Sequence, residues 1–286
     1  MTRLSFGLGI SPSAGTGSDP VGLARQAEEL GFDFVSTSDH PSGTGPTYET
    51  WTLLTWLAAA TSRIRIAPRV LGVPYRPPAM VAKMAETLDR ISGGRLILGL
   101  GGGYSDHEFR GFGLPVPTPR EKVDGLEDAI RIARGLWSQE SFSYAGRRFH
   151  TDAAELAPKP DRPIPIWLGT FGDRALALTG READGWIPSL GSAPPEQAVV
   201  MRDKIRAAAD RAGRDPDSIT YAYHVQVELD RDVADQSVVS GSADQVATRL
   251  AGFTKLGFTA LSLTTTSPES IDRLATEIIP AVRALA

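Results

Sequence analysis

The 286 residues, 41% hydrophobic and 22% charged, have the composition of a soluble globular protein, long enough for two ordinary domains or one large α/β barrel. A net charge of −4 gives no electrostatic footprint for nucleic acid or an anionic membrane, and the lack of cysteine excludes disulfides, thiolate metal sites and cysteine nucleophiles. The N-terminus reads as a strand rather than a signal peptide and no apolar run reaches membrane length, so a cytoplasmic enzyme is the expectation.

In chain order, residues 4–10 alternate apolar and small residues as a first strand, and 11–18 form a Gly/Pro/Ser loop. Asp19 and Pro20 cap and start a helix that stops at Gly31. Residues 32–38 are a second strand ending in Asp39, His40 and Pro41, and a loop over 42–46 leads to a helix over 48–61. Strand three falls at 64–71. The prolines of 74–78 then open a helix to Ile91, which Ser92, Gly93 and Gly94 terminate. Residues 95–100 are too short and too apolar to be other than a buried fourth strand. After an irregular excursion over 105–119 comes an amphipathic helix over 120–138, with Val123, Leu126, Ile130, Ala133 and Trp137 on one face, and a small hairpin over 141–150. The last four strands fall at 164–169, 185–188, 219–229 and 260–264. Helices fall at 172–181, 194–212, 242–256 and 268–285, and a polar, lid-like loop runs from 229 to 241.

Eight strand–helix pairs in strict alternation require parallel strands and imply a (β/α)8 TIM barrel, a single domain over 1–286, with an open doubly wound sheet as the alternative. The chemistry of such a barrel sits at the C-terminal ends of its strands. Asp39 and His40 follow strand two, Leu71 and Gly72 strand three, and Gly101, Gly102, Gly103 and Tyr104 strand four. Gly169, Thr170, Phe171, Gly172 and Asp173 follow strand five, Trp186 belongs to strand six, and His224, Gln226 and Glu228 alternate along strand seven.

A turn needs one or two glycines, and three in a row leave backbone against which a ligand can lie flat. Residues 169–173 enter a helix with little side-chain cover. That suits a phosphate on helix N–H groups and suits equally a turn capped by Asp173. His40, beside an acid at a barrel mouth, can donate a hydrogen bond or hold a proton near neutral pH. The competing reading has Asp39 as a cap and His40 packed beneath the Pro41 loop. His107 and His150 fall in exposed stretches, and His224 reads as a satisfied interior histidine. Asp106, His107 and Glu108 form a local polar run, and no cluster has metal-ligand spacing.

These residues resemble the bacterial-luciferase-like family of flavin- and deazaflavin-dependent oxidoreductases over nearly the whole chain. The likeness rests on Ala-Glu-Glu-Leu-Gly-Phe-Asp at 27–33, Ser-Asp-His at 38–40 and Thr-Ser-Arg-Ile-Arg-Ile at 61–66. It continues through Leu-Asp-Arg-Ile-Ser-Gly-Gly-Arg at 88–95, Gly-Leu-Gly-Gly-Gly-Tyr at 99–104, Leu-Ala-Pro-Lys-Pro at 156–160, Ile-Trp-Leu-Gly at 166–169 and Ala-Asp-Gly-Trp at 183–186. The resemblance implies a (β/α)8 barrel with an excursion after strand four and a cofactor that is coenzyme F420 or FMN. The Ser-Asp-His form looks like the deazaflavin branch, in which the residue matching Asp39 contacts the ring and that matching His40 lies near the hydride-accepting carbon. The branch also implies a non-proline cis bulge behind the ring, at Val70–Leu71 or within a residue of it, and phosphate contacts at Gly102, Gly103 and 169–173, beside Tyr104. The family's sugar-phosphate dehydrogenases carry an acid after the strand-four glycines and a tryptophan after the histidine. Tyr104 and the pair Gly43 and Thr44 stand there instead, which argues against a glucose-6-phosphate-type reaction and leaves the proton donor unassigned.

The leading expectation is therefore an oxidoreductase moving hydride between reduced F420 and a small organic substrate, with His40 as the catalytic residue. The alternative is an FMN-dependent monooxygenase using reduced flavin and O2; a non-catalytic flavin-binding paralogue is a third reading. Either enzyme needs a separate reductase or dehydrogenase to supply reduced cofactor. Oligomeric state is left open by the sequence, though members of the family often bury helices near strands two and three in a homodimer. No nucleic-acid or membrane partner is expected.

Overall fold

Short, doubly buried strands and one-sided helices alternate along residues 4–286, which the computed structural model describes. In chain order these are β1 (Ser5–Gly9), α1 (Pro20–Glu29), β2 (Phe34–Thr37), α2 (Thr50–Ala60), β3 (Arg65–Pro68), β4 (Leu71–Gly72) and α3 (Pro78–Ile91). There follow β5 (Leu98–Gly101), α4 (Asp106–Gly111), α5 (Pro119–Ser138), the hairpin β6 (Ser141–Ala145) and β7 (His150–Glu155), β8 (Ile166–Leu168) and α6 (Asp173–Glu182). The remainder is β9 (Gly185–Trp186), α7 (Pro195–Arg211), β10 (Thr220–Leu229), β11 (Val238–Gly241), α8 (Ala243–Lys255), β12 (Ala260–Thr264), α9 (Ser270–Arg273) and α10 (Ile279–Leu285), the last two joined by a π-helical turn.

Local chemistry sets most boundaries. Asp19 accepts the Gly22 N–H ahead of Pro20, and Thr118 and Ser242 form reciprocal capping boxes with Glu121 and Gln245. All four residues of β2 and all three of β8 are buried, because one face meets helices and the other the barrel axis.

The parallel sheet runs β3-β2-β1-β12-β10-β9-β8-β5-β4. Segments β3 and β4 are two halves of the third barrel strand, so these nine segments make eight staves, a TIM barrel. The Ile66–Leu96 bridge and the β4–β5 pairing join the ends of the sheet.

The non-proline cis bond is Arg69–Val70, within the one residue of Val70–Leu71 that was expected. Four other expectations are revised. Strand three is broken between Pro68 and Leu71. The break is centred on Val70, whose side chain fills room left by glycines of the neighbouring strands: a Cβ on Gly101 would lie 2.7 Å from Val70 Cγ2, and one on Gly169 3.0 Å from it. The excursion over 105–119 contains α4, capped by Ser105 and anchored by the wholly buried Phe109. The hairpin extends to Glu155, and the loop after 229 returns as β11, which pairs parallel with β10.

Phe34, Ala67, Ile97, Trp167, Ile187, Ala222 and Ala260 form one buried cluster. They come from seven different staves, so they can meet only on the barrel axis. Side chains alternate along a strand, so residues two further on form the next layer toward the C-terminal end. That layer holds Ser36, Arg69, Gly99, Gly169, Ser189, His224 and Ser262. An apolar plug thus supports a polar layer.

Candidate active site

Above the polar layer the barrel opens into a cavity of about 320 Å³. Asp39, His40, Val70, Leu71, Gly102, Gly103 and Tyr104, all expected from the sequence, line it together with Gly169 and Phe171. Thr170, Gly172 and Asp173 do not. Thr170 is turned outward and buried; its hydroxyl pairs with that of Thr179 at 2.8 Å and its carbonyl accepts the Trp186 indole N–H at 2.9 Å. Gly172 is the N-cap of α6, and nothing in the protein lies within 4 Å of where its Cβ would be. The Asp173 carboxylate does not cap the helix but pairs with Lys204 at 2.6 Å, leaving the first N–H groups of α6 without a side-chain cap. Trp186 is wholly buried, and Gln226 donates to Glu228, which also receives the Thr266 N–H and hydroxyl.

The glycine mouth has a double origin. Gly101, Gly102 and Gly103 line the cavity, and protein atoms crowd the place where a Cβ would sit: Val70 at Gly101, Lys122 at Gly102 and Phe109 at Gly103. Gly103 also has φ +93°, a conformation that side chains disfavour.

Two networks shape the rim. In the first, His40 Nδ1 lies 2.9 Å from Glu108 Oε1, a residue 68 positions away, and the Tyr75 hydroxyl donates to the other Glu108 oxygen. An ionised Glu108 can only accept, so Nδ1 carries the hydrogen and Nε2 is the nitrogen left for a ligand. The His40 side chain is 50% exposed and Glu108 11%. Burial, and then the Glu108 carboxylate, raise the Tyr75 pKa and keep its phenol protonated.

In the second network, Arg76 donates to both oxygens of Asp39, at 2.9 and 3.0 Å, and the Gly72 N–H adds a bond of 2.9 Å. Arg76 also donates to Glu49, the cap of α2. Burial opposes the charge on Arg76, but Asp39 and Glu49 outweigh it and raise its pKa. Asp39 therefore clamps the backbone on which His40 and Gly72 stand.

The floor carries the polar layer. His224 Nδ1 donates to the Ser262 carbonyl at 3.1 Å, and the Ser36 and Ser262 hydroxyls meet at 3.2 Å. Burial and then the charge of Arg69 hold the His224 pKa well below the ordinary histidine value, against the pull of its Ser262 bond. Arg69, Tyr75, Ser189 and Ser192 line the cavity and were not singled out in the sequence, and neither was Glu108 beside it. Arg69 has a signal, since it stands two residues after the axial Ala67. Glu108 has none, because its reach to His40 depends on the turn of α4. No group of three metal-ligating side chains, and no helix long and apolar enough to cross a membrane, occurs among the described residues.

A family model described as luciferase-like monooxygenase matches residues 4–235. The chain belongs to this luciferase-like family. Its relatives include the F420-dependent glucose-6-phosphate dehydrogenase of Nakamurella multipartita, 32% identical over 236 residues that make up 80% of this chain and 69% of the relative. Further dehydrogenases of that name match over 64% of their own length. Two solved structures share the luciferase-like fold. An F420-dependent secondary alcohol dehydrogenase with an F420–acetone adduct superposes at TM-score 0.88 and 21% identity, over 98% of this chain and 99% of that one. A monooxygenase from Streptomyces bottropensis superposes at 0.81 and 22%, over 97% and 99%.

Proposed function

We propose that the protein is an F420-dependent oxidoreductase that moves hydride between the reduced deazaflavin and a small organic substrate, with His40 handling the proton. The observation that carries this reading is the His40–Glu108 pair at the rim of a glycine-lined cavity, in a chain whose matched relatives include F420-dependent dehydrogenases. The residues present suit such a cofactor. Gly101, Gly102, Gly103 and Gly169 line the cavity with no side chain of their own, and the N–H groups at the start of α6 are uncapped. Val70, Leu71, Gly102, Gly103, Tyr104, Gly169 and Phe171 would hold the cofactor, with its phosphate on N–H groups of Gly102, Gly103 and the 169–173 turn.

When bound, F420 supplies the carbon that carries hydride. The chain supplies the proton path. His40 Nε2 takes a proton from, or returns it to, the substrate oxygen as hydride leaves or arrives at the carbon beside it. Glu108 fixes the tautomer and steadies the imidazolium, and the Tyr75 phenol orients Glu108. Tyr104 is 88% exposed and carries no carboxylate, and Gly43 and Thr44 have no large side chain, so the sugar phosphate of the relatives is not carried over to this chain.

Titration with F420 and FMN by fluorescence quenching, together with an oxygen electrode, tests the reading. Tight F420 binding with no oxygen uptake is expected. FMN binding with oxygen consumption would replace it by a monooxygenase, and binding of neither would overturn both.

A further inference from the structure

Arg69 and His224 line the cavity, and the proposed chemistry gives neither a role. Arg69 lies in the polar layer of the barrel, half-buried, and lines the cavity. Its main-chain N–H bonds to the Thr37 carbonyl at 2.7 Å, but among the described residues its guanidinium makes no hydrogen bond and no ion pair, and its Nε is buried without a partner. The acids near the cavity are committed elsewhere, Asp39 to Arg76 and Gly72, Glu108 to His40 and Tyr75. His224, alongside, is neutral and donates through Nδ1, so its Nε2 is an acceptor with no partner among the described residues. Burial pushes the Arg69 pKa down to about 10, still charged at neutral pH. A planar cation with open donors, next to an open acceptor, is a recognition surface and not a packing unit.

We propose that Arg69 and His224 form an anion-recognition floor: an anionic oxygen of the ligand docks on the Arg69 guanidinium, and His224 Nε2 accepts from a neighbouring donor of the same ligand. Two sources offer that oxygen, the ring system of the cofactor or a carboxylate of the substrate. This assignment extends the cofactor reading but does not depend on which cofactor binds.

The test uses Arg69→Met and Arg69→Lys in the full chain, with F420, FMN and benzoate as probes and benzamide as the uncharged control. Cofactors are titrated by fluorescence, and benzoate and benzamide by calorimetry on protein with and without the cofactor that binds. Arg69→Met should weaken one anionic probe at least tenfold more than benzamide, with an unfolding temperature no lower than wild type, and Arg69→Lys should restore part of the loss. A loss confined to the cofactor identifies the ring as the source, and a loss confined to benzoate identifies the substrate. Unchanged affinity for all anionic probes overturns the proposal, as does a wild type that binds none of them. If Arg69→Met does not fold, Arg69→Gln, which removes the charge, decides: a tenfold loss in a folded protein supports the proposal, and unchanged affinity or failure to fold overturns it. The cofactor reading fails separately, on wild-type F420 binding, whereas this one is read from the ratio of variant to wild type.

Discussion

Each end of the barrel holds an arginine, Arg95 buried at the base and Arg69 partly open to the cavity at the mouth, and the two are treated in opposite ways. At the N-terminal end Arg95 donates five hydrogen bonds, to the carbonyls of Ser92, Ile64, Ala58 and Thr61 and to the Thr61 hydroxyl. At the C-terminal end the Arg69 guanidinium donates none among the described residues. The same contrast holds for carboxylates. Glu28, at the base, takes the N–H groups of Ser62, Arg63 and Ile64 and so pins the turn into β3, whereas Glu108, at the rim, holds a half-exposed histidine. A buried polar group whose every bond is made contributes to stability, and one left open is held ready for a ligand. The base of the barrel is built for the fold and the mouth for chemistry.

The sharpest way to break this contrast is at the mouth. His40→Ala should lower turnover by about 10²–10⁴, the range for losing a positioned acid or base, while thermal unfolding and cofactor affinity stay close to wild type. Full activity in this variant, measured beside its melting curve, would move suspicion to Tyr104.

At the base the expectation reverses. Arg95→Met leaves several buried carbonyls without donors and should destabilise by about 3 kcal/mol in denaturant titrations, with cofactor affinity unchanged in the folded protein. A variant as stable as wild type would mean that those carbonyls find other donors.

Gly172→Val separates the ends more finely. Its Cβ meets no protein atom and the glycine has an ordinary φ of −78°, so stability should hold. If a phosphate lies on this turn, affinity should fall about tenfold, or about 1.4 kcal/mol. Unchanged titration curves would put the phosphate elsewhere.

The smallest effect is an acid limb at the base. Burial raises the Glu28 pKa, but the N–H groups of Ile64, Arg63 and Ser62 outweigh it and hold the group at about 2, against 4.5 unperturbed. A folded-state pKa below the unfolded one contributes stability that is full above pH 4.5 and is lost as pH falls toward 2. Glu28→Gln should flatten that limb of the unfolding profile, and an unchanged profile would place the acid sensitivity on other carboxylates.

What the sequence by itself determined is what local forces control. Strand–helix alternation implied eight parallel staves. Capping at Asp19 and the positive-φ glycines at 31 and 93 delimit their helices as read, since such signals act within a turn of the chain. The rule that barrel chemistry sits at strand C-termini brought Asp39, His40 and the glycines of strand four to one cavity, because closing the barrel points all those ends the same way. Only the tertiary structure decided which of them face inward and what they meet. Within 169–173 the sequence could not tell Phe171, in the cavity, from Thr170, turned away toward Thr179, because the path of a five-residue turn depends on what packs behind it. Glu108 looked like one acid in a surface run and became the partner of a histidine 68 residues away, a distance spanned only when α4 folds over the mouth. Arg69 was not singled out in the sequence, and its open guanidinium became visible only once the surrounding staves had closed and offered it no acceptor.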